Sequence, residues 1–162
     1  LHMHRLEKMW LTFGVAMLAV FLIVLGIGVF ANGAQPPTTH AHGGHEKPAP
    51  ELAEETAPFD KPGLHKIGDN EYKLVMVAIA FAYKPLEDKI VIPAGATVHF
   101  EVTSTDVVHG LQIPGTNVNM MAVPGETTNF TFTFKKPGEY LVLCNEYCGN
   151  GHEMMWTTIT VA

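Results

Sequence analysis

No charged side chain interrupts the stretch from Met9 to Ala31, MWLTFGVAMLAVFLIVLGIGVFA. At ~1.5 Å rise per residue, a helix of this length crosses a hydrocarbon core of ~30 Å. Arg5 and Lys8 precede the run, and the next lysine after it is Lys47. The nearby basic side is thus N-terminal, which predicts a single-pass anchor in the cytoplasmic membrane, N-terminus inside and the remainder outside. The rival is a cleaved leader ending at Val29-Phe30-Ala31, but the run is longer than the usual apolar core of a leader. Gly14, Gly26 and Gly28 permit close helix packing without requiring it.

The character changes abruptly after Ala31. Residues 32–66 are dense in Pro, Gly, Ala, Thr and Glu, with almost no large apolar residue. Such a stretch cannot bury enough surface to offset its chain entropy, and it reads as a partly extended tether. His40, His42 and His45 lie in it, a composition that invites copper capture but more often has no role. Three parts are therefore expected: residues 1–31 as tail and anchor, 32–66 as linker, and 67–162 as a folded domain.

In the third part the hydrophobic period is two. Val98, Phe100 and Val102 alternate with Thr97, His99, Glu101 and Thr103, and Phe130, Phe132 and Phe134 alternate with threonines. Each reads as a strand with one dry face. Tyr72–Tyr83 is mostly apolar and long enough for a helix, yet Lys84-Pro85 follows it directly. Further strands are expected at Lys89–Ile92, Glu139–Leu143 and Trp156–Val161, set off by Pro93-Ala94-Gly95 and Pro137-Gly138. Short strands between such turns, with no convincing amphipathic helix, indicate an all-β sandwich or barrel.

The chemistry is concentrated in Cys144-Asn-Glu-Tyr-Cys148-Gly-Asn-Gly-His152-Glu-Met-Met155, which holds both cysteines of the chain. Two thiols, an imidazole and a thioether in one loop suit a soft or borderline metal such as copper or zinc. His109, beside Gly110, can reach this loop, because loops from distant strands gather at one pole of a β-sandwich. Four readings compete. A Cys144–Cys148 disulfide fits an oxidising compartment but leaves His109, His152 and Met155 without a purpose. Cys₂His₂ zinc has no use for the thioether. A blue copper site uses His109, His152, Met155 and a single cysteine. A binuclear copper site uses all of them, with both thiolates bridging, one histidine on each metal, and Met155 and a backbone carbonyl as weak outer ligands.

The order His109 … Cys144-x-Glu146-x-Cys148-x₃-His152-x₂-Met155 resembles the binuclear copper (CuA) motif of subunit II of haem-copper terminal oxidases. Val107-Val108-His109-Gly110, Pro124-Gly125 and Pro137-Gly138-Glu139-Tyr140 resemble that family too, and the single anchor is most similar to its compact B-family members. The resemblance implies a cupredoxin-like Greek-key β-barrel preceded by one transmembrane helix. It implies that Cys144 and Cys148 bridge two copper ions, with His109 and Met155 serving one and His152 and the Glu146 carbonyl the other. It further implies a role for the Glu146 side chain in binding Mg²⁺ at the boundary with subunit I, and for Phe81 and Tyr83 as an aromatic electron-uptake patch on one strand face.

By the same resemblance the chain accepts electrons from cytochrome c or a similar small redox protein. It passes them to haem in subunit I, where O₂ is reduced to water. The chain itself carries electrons while bond chemistry belongs to the partner. A copper-bearing small subunit of a nitric oxide reductase is the alternative within the superfamily. A membrane-tethered copper donor or thiol oxidoreductase is the alternative outside it, disfavoured because too little chain follows Cys148 to complete a βαβ unit. No Ser/His/Asp set, phosphate loop or Cys-x-x-Cys-His haem attachment is present. A net charge of −6 argues against nucleic acid.

Overall fold

The computed structural model describes residues 4–32, 38–40, 57–85 and 89–162. Two compact units emerge, Leu1–Pro36 and Pro37–Ala162. The first is helix α1, Arg5–Asn32. Its first turn is closed by the Glu7 carboxylate, which accepts the His4 N–H at 2.9 Å, a placement favoured by the positive end of the helix dipole. Large apolar side chains from Leu6 to Phe30 point outward all round it. A helix with no polar face is suited to lipid rather than to the rim of a soluble domain. It supplies a single membrane-spanning segment.

The second unit is all-β and cupredoxin-like, built from eleven strands among the described residues. These are β1 Thr38–His40, β2 Gly63–Gly68, β3 Glu71–Ile79, β4 Ala82–Lys84, β5 Ile90–Ile92 and β6 Thr97–Ser104. Then come β7 His109–Gln112, β8 Asn119–Ala122, β9 Thr127–Thr133, β10 Gly138–Leu143 and β11 Trp156–Val161. One sheet runs β1-β9-β6-β3-β2 with β4 also on β3, and the other runs β5-β11-β10-β7-β8. The described strands thus make two sheets, where the resemblance had implied a closed barrel.

The core lies between them. Leu74, Met76, Val98, Phe100, Val102 and Phe130 of the first sheet meet Ile92, Leu111, Met120, Val142, Ile159 and Val161 of the second. Each fully buried aromatic or aliphatic side chain there is worth ~1.5–3 kcal/mol relative to exposure.

Three local readings need adjustment. The run Tyr72–Tyr83 is two strands, β3 and β4, turned through Phe81, whose φ is 63°. Its lack of alternation has a cause: Val75 and Val77 face away from the main core and are buried against Phe59. Thr103, expected on the wet face, is buried, and its hydroxyl donates to the Glu126 carbonyl at 2.7 Å. Within 32–66, the described Thr38–His40 pairs with β9 and Gly63–Gly68 with β3. His42 and His45 fall outside the described residues.

Candidate metal centre

Strands β10 and β11 form a hairpin whose ladder runs from Gly138↔Val161 to Leu143↔Trp156. The next rung is Cys144, whose N–H donates to the Met155 carbonyl at 3.1 Å. The motif is therefore the hairpin's own loop, with Cys144 and Met155 facing each other at its base. Three residues of it, His152–Met154, form a 3₁₀ turn. His109 opens β7, which lies beside β10 through Gln112↔Leu143.

This arrangement brings the expected donors together. The Cys144 and Cys148 sulfurs are 3.8 Å apart, and both cysteines are free. Cys144 Sγ is 3.1 Å from the Glu146 carbonyl oxygen. Cys148 Sγ is 3.5 Å from His152 Nδ1 and 3.7 Å from Met155 Sδ. His109 Nδ1 is 3.2 Å from that same thioether. The donor atoms of His109, Cys144 and Cys148 all lie within 4.8 Å of one another, a His/Cys/Cys cluster suited to copper.

The environment shows which atoms are available. His109 is 0% exposed, and its Nε2 is 2.7 Å from Asp106 Oδ1. A carboxylate there fixes the proton on Nε2 and leaves Nδ1 with a bare lone pair aimed at the Met155 sulfur. Two lone pairs facing each other have nothing to share without a cation between them. Burial raises the Asp106 carboxyl, but hydrogen bonds from His109, the Val107 N–H and the Ser104 hydroxyl outweigh it and hold the group below its usual range. Burial, then the neighbouring Cys144, push the Cys148 thiol up to about 11. A thiol held so high ionises only beside positive charge.

Gly110 is the tight point of the site. Its N–H donates to Cys144 Sγ at 3.4 Å. A Cβ at this position would stand 1.9 Å from Asn145 Oδ1 and 2.8 Å from the Asn145 backbone nitrogen. Asn145 in turn donates to Asn119 Oδ1 of β8 at 3.0 Å. The loop wall on the other side is also glycine: a Cβ on Gly151 would meet the Phe81 ring at 2.5 Å.

The two aromatic residues do not share a face. Phe81 is 39% exposed in the β3–β4 turn and covers the loop at Gly149 and Gly151. Tyr83 is 3% exposed, and its hydroxyl donates to the Gly110 carbonyl. Burial and then Cys144 hold its phenol far above the usual range. Tyr147 is 76% exposed, with its ring 5.8 Å from that of His152, and Trp156 beside Met155 is exposed as well. The Glu146 side chain is exposed. A surface notch of about 420 Å³ between Leu141 and Trp156 reaches Cys144, His152 and Met155.

Asp106 and Tyr147 were not singled out from sequence. A carboxylate three residues before a candidate histidine ligand, and an aromatic between the cysteines, were the signals available.

Residues 72–162 match the family described as cytochrome c oxidase subunit II, periplasmic domain. A cytochrome c oxidase subunit 2 of Thermus thermophilus is 40% identical over 159 residues, covering 96% of this chain and 90% of that protein. Another subunit 2 of the same species is 41% identical over 118 residues, covering 72% and 86%. A chain of a haem-copper terminal oxidase dimer solved by electron cryo-microscopy superposes with a TM-score of 0.77 at 34% identity, covering 98% of this chain and all of that one.

Proposed function

The chain belongs to the cytochrome c oxidase subunit II family and is an electron-transfer subunit of a haem-copper respiratory oxidase, and we propose that it works through a binuclear copper centre. The observation that supports two ions over one is the spread of the donors. His109 Nδ1 and Met155 Sδ lie together, while His152 Nδ1 approaches only the Cys148 side and stands outside the tight His109/Cys144/Cys148 group. In this reading Cys144 and Cys148 would serve both ions, His109 and Met155 would hold one, and His152 with the Glu146 carbonyl would hold the other. Copper held there would supply one-electron chemistry.

The residues of the chain do the rest. Asp106 keeps the His109 lone pair pointed inward. The hairpin rung between Cys144 and Met155 fixes the first and last donors of the loop before metal arrives. Packing of Met155, His109 and Cys144 in the core excludes water from one side of the site. Donor groups already placed change little when charge changes, which favours rapid electron transfer.

The wider reading follows from the membership. The single helix anchors the domain outside the cytoplasmic membrane, N-terminus inside, by the Arg5 and Lys8 bias. Electrons arrive from cytochrome c or a similar small redox protein, and Phe81, Tyr147 and Trp156 are exposed aromatic residues around the donors. They leave for haem in subunit I, the site of O₂ reduction. In this reading the Glu146 carboxylate, exposed in the chain alone, takes part in binding Mg²⁺ at that boundary.

Paramagnetic resonance on the copper-loaded full chain in detergent tests the central claim. Hyperfine structure from one electron shared by two equivalent coppers is expected. A single-copper spectrum, or a preference for zinc with no copper signal, would refute it.

A further inference from the structure

Tyr83 is almost wholly buried, and its hydroxyl donates to the Gly110 carbonyl while also lying beside the Cys144 thiol. That bond links the two sheets: Tyr83 pairs with Ala78 of β3 in the first, and Gly110 pairs with Met121 of β8 in the second. Gly110 follows His109 directly, and its own N–H points at Cys144 Sγ. One residue thus receives the phenol on its carbonyl and presents its amide to the sulfur. Gly110 has no side chain to hold it in place, and Asn145 leaves no room for one. On its β8 side Gly110 is held by the β7–β8 ladder, but toward β10 the nearest ladder pair is Gln112↔Leu143, beyond this point. On that open side the phenol restrains the Gly110 peptide from the opposite sheet, next to the close packing of Asn145.

We propose that Tyr83 is a positioning residue for the copper centre: by holding Gly110 from the opposite sheet, it keeps the Gly110 N–H on Cys144 and so sets the reduction potential. An N–H donated to a ligand sulfur withdraws electron density from it and favours the reduced metal. Losing the restraint lets the amide drift off, leaves the sulfur richer in electrons, and favours the oxidised state. This rests on the copper reading above, but the restraint itself exists without metal and is measured without it.

The test uses the full chain in detergent and the variant Y83F, with melting to confirm that it folds. In copper-free protein, the Gly110 amide exchanges its proton at least tenfold faster in Y83F than in the parent, while amides of β3 and β6 keep their rates. In copper-loaded protein, the redox equilibrium moves about tenfold toward the oxidised form, a fall of ~59 mV for one electron. Tyr83→4-aminophenylalanine, which restores a donor, recovers both values. An unmoved Gly110 exchange rate overturns the proposal, as does an unmoved potential or an exchange increase spread evenly over both sheets. If Y83F does not fold, Tyr83→4-fluorophenylalanine fills the hydroxyl's space without donating, and the same readouts decide. A copper spectrum that is not binuclear would defeat the function proposed above while the Gly110 exchange rate still tests the restraint.

Discussion

The two histidines of the centre stand in opposite settings. His109 opens a strand, is fully buried, and has its outer nitrogen tied to Asp106. His152 begins a short 3₁₀ turn, is only partly buried, and carries the exposed Tyr147 ring beside it. One side of the site is made by the sandwich and the other by the loop. The strand side fixes geometry, and the loop side faces whatever approaches. A redox domain needs both, because a rigid ligand set lowers the reorganisation demanded by charge change while a thin wall lets a donor come near.

That contrast can be broken first at the element common to both sides. On the binuclear centre proposed above, C148S removes one of the two shared sulfurs, and the shared-electron hyperfine pattern is expected to vanish altogether from the paramagnetic spectrum of the copper-loaded chain. Next, H109A and H152A should part company. Added imidazole is expected to restore the copper spectrum of H152A, whose site opens to the notch beside Trp156, and to leave H109A unrestored because its cavity is sealed. Equal rescue would show the two sides to be alike.

D106A sharpens the strand side alone. It leaves the His109 ring without its acceptor, and copper affinity by competitive chelation should fall by roughly 10–100-fold. At the quiet end stands Lys73–Glu101, a 2.6 Å pair on the outer face of the first sheet. K73A is expected to change unfolding free energy by less than about 1 kcal/mol and copper binding not at all.

The sequence made β6 and β9 readable because each has one wet face, His99 and Glu101 on the former and Thr131 on the latter. It hid the β3–β4 break for two physical reasons. Phe59 buries the second face of β3 and erases its alternation, and a phenylalanine in the left-handed region is too uncommon to expect. The ligands of the loop were legible as a spacing. Their supports were not, because Asp106, Tyr83 and Gly110 act through contacts made between sheets and across turns. Residue type and spacing give at most a faint trace of such contacts, as in the carboxylate three residues before His109. Phe81 and Tyr83 illustrate the limit: two positions apart suggested a common face, and the turn at Phe81 sends one to the surface and the other inward.

Strand β11 has a consequence in time. It sits between β10 and β5, pairing Ile159 with Ile90 in parallel, and the loop's closing rung at Met155 immediately precedes it. Until β11 docks between its two neighbours, nothing holds Met155 opposite Cys144. Long-range parallel pairing then adds a slow closure step. The donor set of the loop is thereby completed late in folding, only when the sandwich has shut.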